Sequence, residues 1–380
     1  MALNRRTSSS EENLSKISDL DTAAEIDDCV LILPDWRTRN PYQNLLVESL
    51  HRRGIEATLA DFPDGPFPLN RATNRATNVS VLHLHWINDL IAPILWGRGR
   101  IKRFAKLALL IADVLTLRLR GISVVWTIHN LVAHESPNRL AELRIRSALA
   151  RACSHVILHG ERARQRVEAA YHTDLSQKCT IIPHGNYDGC YPFSKVRREE
   201  LLSQFSLDSR NTVILFFGAI RPYKGVRQLI EAFSQTSNQD LRLIVAGYPS
   251  TEQFRDEIAS LAQTDRRISL VLDFVAVQDV AALFSVADAV ALPFENTLSS
   301  GSVTLAMTMG KPTLLPDEAR MLDTVSDDCA LFFDSSETLT SILSTLNKDK
   351  LLVMGKSAKA LADAMPWDKV AKLTETAYGS

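Results

Sequence analysis

Short, unbroken apolar runs alternate along this 380-residue chain with longer stretches of helical spacing. In the first half the runs are Cys29–Leu33, Val79–Leu84, Ile122–Ile128 and Ser154–Leu158, with helical patterns such as Asn44–Arg53 and Leu140–Ala152 between them. The second half repeats the plan, with runs at Thr212–Phe217, Leu241–Ala246, Ile268–Leu272 and Ala287–Leu292. Helical patterns there fall at Val226–Phe233, Glu252–Ala262 and Asp279–Phe284. Continuous Val/Ile/Leu runs predict parallel strands buried on both faces. Two such series predict an α/β chain of two Rossmann-like, doubly wound domains facing a central cleft.

The turn-rich stretch around Asn186–Lys195 marks the boundary. The expected division is a disordered tail at 1–27, an N-terminal acceptor domain at 28–190 and a C-terminal donor domain at 191–366. A final helix at 367–380 is expected to cross back to the first domain. The tail is polar, rich in Ser, Glu and Asp, and without the apolar core of a secretory signal. Ligands of open α/β sheets bind beyond the carboxyl ends of the strands, so the chemistry is expected just after the runs.

Composition adds limits. Apolar residues make up 46% and charged residues 23%, as in ordinary globular proteins. A net charge of −1 argues against a nucleic-acid binder. The charge is uneven: 21 Lys/Arg stand against 14 Asp/Glu between Asp28 and Cys190, so the two halves are expected to meet different partners. Five scattered cysteines without a C-x-x-C read as a reduced, cytoplasmic chain with neither disulfides nor a zinc site. The Asp19-Leu-Asp21 triplet falls in the tail, so no metal is expected.

Two segments of the second half carry anion chemistry. In Val213–Val226 a strand runs into Gly218, then a basic loop with Arg221 and Lys224, then a helix. Arginine can fork two phosphate oxygens, and lysine acts as a point charge. In Ala291–Pro312 a strand ends at Pro293 and a small-residue loop, Ser299-Ser300-Gly301-Ser302, opens a helix. Free backbone N–H groups and hydroxyls at a helix start favour an anion, although a serine N-cap gives the same pattern.

The order G-x-I-R-P-Y-K-G from Gly218, then V-A-G, A-D-A-V-A-L-P and A-M-T-M-G-K-P, resembles glycosyltransferases of the GT-B fold, family 4 or group 1. The likeness is clear over Thr212–Thr313 and looser through Trp126–Asn130 and Ile182–Tyr187. It implies transfer of a sugar from a nucleotide diphosphate, a UDP- or GDP-sugar, with Arg221 and Lys224 on the diphosphate. It further implies a saccharide or polyprenyl-linked acceptor, in surface polysaccharide or glycolipid assembly. No cofactor is implied beyond the nucleotide sugar as co-substrate. Two departures stand out. Ala219 sits where many members have arginine. Thr297 and Leu305 sit where members usually have two glutamates with seven residues between them, and Glu295 lies two residues before the first of these positions.

Three first-half segments follow strands: Leu33–Tyr42 with Asp35, His83–Asp89 with His85 and Asp89, and Thr127–Glu135 with His129 and Glu135. Their His, Asp, Asn and Trp residues can hydrogen-bond to sugars and stack on them. The resemblance favours His129 near the donor sugar. An inverting enzyme also needs a base for the acceptor hydroxyl, and Asp35, Asp89, His85 and Glu135 are the candidates. A retaining enzyme need not have one. A non-catalytic GT-B subunit and a GT-B nucleotide-sugar epimerase are the competing readings. No G-x-G-x-x-G follows the first strand, which weighs against a dehydrogenase.

The stretch 94–120 mixes apolar and aromatic residues with seven basic residues and one acidic residue between Arg98 and Arg120. A helix of this kind can lie on an anionic membrane surface, which would place the enzyme on the inner face of a membrane.

Overall fold

The computed structural model describes residues 29–379 apart from Arg39, Arg98, His134, Asn296 and Thr297. The tail at 1–27, with its Asp19–Asp21 triplet, lies outside the described residues. The first half runs β1 (Cys29–Leu33), α1 (Pro41–Arg52), β2 (Glu56–Leu59), α2 (Pro68–Thr73), β3 (Val79–Leu84) and α3 (Asn88–Leu95). It continues with α4 (Arg100–Leu119), β4 (Ser123–Thr127), α5 (Arg139–Ala152), β5 (His155–Leu158), α6 (Glu161–Tyr171) and β6 (Cys179–Ile181). These strands form one parallel sheet in the order β2-β1-β3-β4-β5-β6.

The second half runs α7 (Lys195–Gln204), β7 (Thr212–Phe217), α8 (Val226–Ser234), β8 (Leu241–Ala246), α9 (Glu252–Ala262), β9 (Ile268–Val271) and α10 (Val277–Val286). Next come β10 (Ala289–Ala291), α11 (Gly301–Thr308), β11 (Thr313–Pro316), β12 (Ala330–Phe333), α12 (Ser336–Ser344), α13 (Lys348–Asp363) and α14 (Trp367–Tyr378). Its parallel sheet has the order β12-β11-β10-β7-β8-β9. The winding direction reverses between β1 and β3 in the first sheet and between β7 and β10 in the second. Those reversals are where open α/β sheets leave a crevice.

Alternating strand residues feed different cores. Leu31, Leu33, Leu82 and Leu84 pack on one face of the first sheet, and Val30, Ile32 and Val81 on the other. In the second sheet Val213 and Leu215 face one core while Ile214 and Phe216 face the other. Both faces being covered explains why the central strands read as unbroken apolar runs.

The final helix belongs to the first sheet's packing. Trp367, Val370, Ala371 and Ala377 of α14 join the core of Val30, Ile32, Tyr42 and Leu46. The Trp367 indole donates to Asn186 O at 2.6 Å. It lies so close to Gly185 that a Cβ there would come within 2.4 Å of the ring. Arg52 pairs with Asp368 at 3.0 Å, and Arg53 pairs with Glu375.

The single acid of the basic stretch is not a surface charge. Asp113 of α4 is buried and accepts from Leu69 N at 2.8 Å and Asn70 N at 3.0 Å. Phe67, which precedes α2, has no side-chain oxygen, so Asp113 supplies the missing cap from another helix.

Candidate active site

The two anion segments meet at the β7/β10 reversal. After β7 the chain passes Gly218 at φ +134°, turns through Pro222–Lys224 and enters α8 after Gly225 at φ +70°. A Cβ on Gly225 would lie 2.1 Å from Pro293 O, so this corner admits only glycine. Ser302 Oγ lies 3.6 Å from where a Gly218 Cβ would stand. Gly218, Lys224, Phe294 and Ser302 line one small cleft. Lys224 Nζ sits 5.8 Å from the Phe294 ring and 5.5 Å from the Tyr223 ring. Burial, then the charge of Arg221, pulls its pKa below the usual lysine value. Among the described residues no carboxylate pairs with it.

The other expected donor residues are placed differently. Arg221 Nη1 donates to Glu135 Oε1 of the first half at 2.8 Å. Glu295 is tied through its backbone N–H to Tyr223 O at 3.1 Å. It lines a second cleft with Arg139, Arg166 and Tyr223 rather than joining Lys224. Ser299 Oγ donates to His129 O at 3.3 Å, joining the two halves. Ser300 is the N-cap of α11, its Oγ accepting from Val303 N at 3.3 Å. Gly301 gives room to Tyr187, whose hydroxyl would lie 2.8 Å from a Cβ there. Ser299 and Ser300 line a third pocket, between the halves, with His159, His184 and Asp323.

The first-half carboxylates are not grouped. Asp35 is held by Arg37 at 2.8 Å. Burial pushes the Asp35 carboxyl up, but the hydrogen bonds and charge of Arg37 outweigh it and leave the pKa below the usual value. Asp89 is exposed in the first turn of α3, and Glu135 is exposed and paired with Arg221.

The rings, in contrast, converge. His85, His129, His159 and His184 all follow strands and are all buried. His85 Nδ1 meets His129 Nε2 at 3.0 Å, and His129 Nδ1 meets His159 Nε2 at 3.3 Å. His129 therefore has both nitrogens engaged by other histidines. His159 Nδ1 lies 2.9 Å from Ile182 O, and His184 Nδ1 lies 2.8 Å from Gly185 O. His83 Nδ1 meets Tyr378 Oη at 2.8 Å, and its Nε2 meets Thr127 Oγ1 at 2.7 Å. Tyr42 stands edge-on to His85, His129, His159 and His184, with centroids 5.0–5.9 Å away. Burial lowers the pKa of all five rings, to about 3 for His83 and His184, so they are neutral near pH 7.

An aromatic stack borders this cluster. Trp36 lies on Trp86 at 4.9 Å, and Trp86 lies on His129 at 4.5 Å. Buried Gln43 fixes the loop beneath, donating to Pro34 O at 2.7 Å and accepting from Trp36 N at 2.7 Å.

His159, Tyr42 and Gln43 were not among the expected site residues. The signal for His159 was present: it stands directly after β5, as His85 does after β3. For Tyr42 and Gln43, inside α1, the sequence held no comparable sign.

Comparison with known proteins agrees with this fold. Residues 211–366 match the family described as Glycosyl transferases group 1. GDP-mannose:glycolipid 4-beta-D-mannosyltransferase of Xanthomonas campestris pv. campestris is 28% identical over 73% of this chain and 70% of its own length. D-inositol 3-phosphate glycosyltransferase of Corynebacterium efficiens is 23% identical over 92% of this chain and 82% of its own. Among solved structures, Anabaena HepE in complex with UDP-glucose superposes with a TM-score of 0.69 at 15% identity, covering 93% of this chain and all of that one. Sucrose-phosphate synthase of Thermosynechococcus elongatus gives 0.70 at 16% identity, over 93% and 98% of the two chains. The chain is a glycosyltransferase with the GT-B fold, an enzyme of the hexosyltransferase type. The match to the group 1 family lies in its C-terminal half, at residues 211–366.

Proposed function

We propose that this enzyme transfers mannose from GDP-mannose to a lipid-linked saccharide, with inversion at the anomeric carbon. The observation that carries the donor reading is the meeting of Gly218, Lys224 and Ser302 in one cleft at the β7/β10 reversal. A half-buried ammonium with no carboxylate partner among the described residues, beside the start of a helix, suits a diphosphate. As the bond to the sugar breaks, Lys224, Arg221 and the start of α11 meet the charge growing on the departing nucleoside diphosphate. The choice of mannose and of inversion leans on the Xanthomonas relative, whose name joins GDP-mannose to a β-mannosyl product. GDP-mannose carries its sugar in the α configuration, so a β product is inverted. The absence of the family's usual glutamates at 297 and 305 fits a departure from its common mechanism.

The acceptor is brought by a membrane surface in this reading. Trp96, Ile101 and Phe104 are 69%, 86% and 75% exposed, beside Arg100, Lys102 and Lys106 on α4. Ile101 and Phe104 share a helix face by their spacing. Apolar side chains ringed by cations match an anionic bilayer, and the inner face of a membrane is the expected location. Among the described residues no helix is long and apolar enough to cross a membrane.

The test is a screen of GDP- and UDP-sugars for thermal stabilisation, followed by release of free nucleoside diphosphate with and without a polyprenyl-linked saccharide. Acceptor-dependent release of GDP supports transfer. Binding without turnover would favour a non-catalytic subunit, and sugar interconversion without acceptor an epimerase.

A further inference from the structure

The histidine chain has a direction that the hydrogen bonds fix. A carbonyl oxygen only accepts, so His159 Nδ1 must carry its proton toward Ile182 O. A neutral imidazole has one N–H, so His159 Nε2 is a bare lone pair, and His129 Nδ1 must donate to it. By the same rule His129 Nε2 is bare, and His85 Nδ1 donates to it. The chain ends at His85 Nε2, which holds a lone pair. That atom is buried and has no hydrogen-bond partner among the described residues.

This end differs from every other position in the chain. A proton added to His129 or His159 would turn an acceptor nitrogen into a donor and break a bond between rings. A proton added at His85 Nε2 breaks none, and the Nδ1–H bond to His129 strengthens. A buried acceptor left unpaired is uncommon and calls for a functional account. The place also fits: His85 follows β3 at the reversal of the first sheet, and its backbone N–H is bonded to Leu33 O of β1 at 2.9 Å.

We propose that His85 takes the proton of the acceptor hydroxyl, and that His129 and His159 are positioning residues behind it. This rests on the inverting-transfer reading above. The acceptor oxygen bonds to the anomeric carbon while the bond from that carbon to the diphosphate oxygen breaks. The hydroxyl proton passes to His85 Nε2, and the nucleoside diphosphate leaves with the bonding pair. The other candidate bases are occupied or displaced. Asp35 is held by Arg37, Glu135 is held by Arg221, and Asp89 projects from an exposed helix start. Trp86 packs against His85 and His129, with centroids at 5.6 and 4.5 Å, so the Trp36–Trp86 stack shifts to admit the acceptor. The titratable rings facing His85 are His83, His129 and Tyr42, with Tyr378 behind His83. Among the described residues no carboxylate pairs with any of them.

The test uses His85→Gln, whose amide can still donate to His129 but cannot take a proton. With GDP-mannose and a polyprenyl-linked saccharide, kcat is expected to fall roughly 100- to 10,000-fold. The rise of kcat with pH on the acid side should vanish, while nucleotide-sugar binding stays within about threefold. His159→Gln should move that acid limb without removing it. A His85→Gln enzyme within about threefold of the unmodified kcat, with its acid limb intact, overturns the proposal. An unmodified enzyme that turns over no nucleotide sugar removes the transfer reading, and the role with it. Nitrogen NMR of the 15N-histidine-labelled protein decides the chain without substrate or variant. All three rings should be Nδ1–H tautomers, and a proton on His85 Nε2 at neutral pH overturns the assignment.

Discussion

Arg221 of the β7–α8 loop and Glu135 of the β4–α5 loop form an ion pair of 2.8 Å across the two halves. The arginine expected to grip the diphosphate is thus held by a carboxylate from the opposite half. Both side chains are substantially exposed, so the pair is worth at most about 1 kcal/mol. Glu135→Gln should free Arg221 and tighten GDP or UDP binding by up to about fivefold, as read by titration calorimetry. Weaker binding would show that Glu135 itself helps to hold the donor.

Among the described residues Lys224 has no such competitor. Removing its charge by Lys224→Ala should weaken nucleotide binding about ten- to a hundredfold, the scale of a charge-assisted hydrogen bond. Its lowered pKa also gives a pH effect. Binding should begin to fade on the alkaline side before an ordinary lysine, with a pKa near 10.5, would titrate. Unchanged affinity in the variant would mean that the diphosphate is held elsewhere.

The central strands were legible because both of their faces are buried, which leaves no polar positions to break the run. Four strands were not. β2 and β12 are sheet edges, β6 is a three-residue edge strand, and β11 runs from Thr313 into Pro316. β2 is partly exposed and begins on a glutamate, and β6, β11 and β12 are only three or four residues long, too short to stand out as runs. At the site, the Gly218–Lys224 loop was legible because a strand, a glycine and paired cations lie in one stretch. The histidine chain was not, because His85, His129 and His159 come from three strands and meet only through the sheet order. His85 and His129 were each candidates on their own, but nothing in the sequence showed that they touch each other or that His159 joins them.

Gly225 tests the corner itself. Its φ is +70°, and a methyl group there would stand only 2.1 Å from Pro293 O, which leaves no room for a side chain. Gly225→Ala should lower stability by about 1–3 kcal/mol, from backbone strain plus displacement of Pro293. Donor binding should fall with it, because Pro293 leads into the loop before α11. A variant with unchanged melting temperature and affinity would show that the corner yields without cost.

Turnover should survive EDTA. Lys224 and Arg221, with the start of α11, supply the positive charge that a metal would otherwise bring to the diphosphate. Among the described residues no group of three or more His, Cys, Asp or Glu is arranged to hold a metal. Loss of activity in EDTA that magnesium or manganese restores would reverse this expectation.

The buried histidines also couple folding to pH. His83 and His184 titrate at about 3 in the folded protein because burial disfavours the charged ring, against about 6.5 when unfolded. Between those values the unfolded chain binds more protons than the folded one. Stability therefore rises with pH across this window and is lost as the pH falls below about 6.5. Each ring contributes a slope of up to about 1.4 kcal/mol per pH unit. Urea unfolding at pH 7 and pH 5.5 should show a marked drop at the lower value. His184→Gln, which removes one titrating group, should make that drop smaller. Equal stability of the unmodified protein at both pH values would mean that these rings are not held neutral in the folded state.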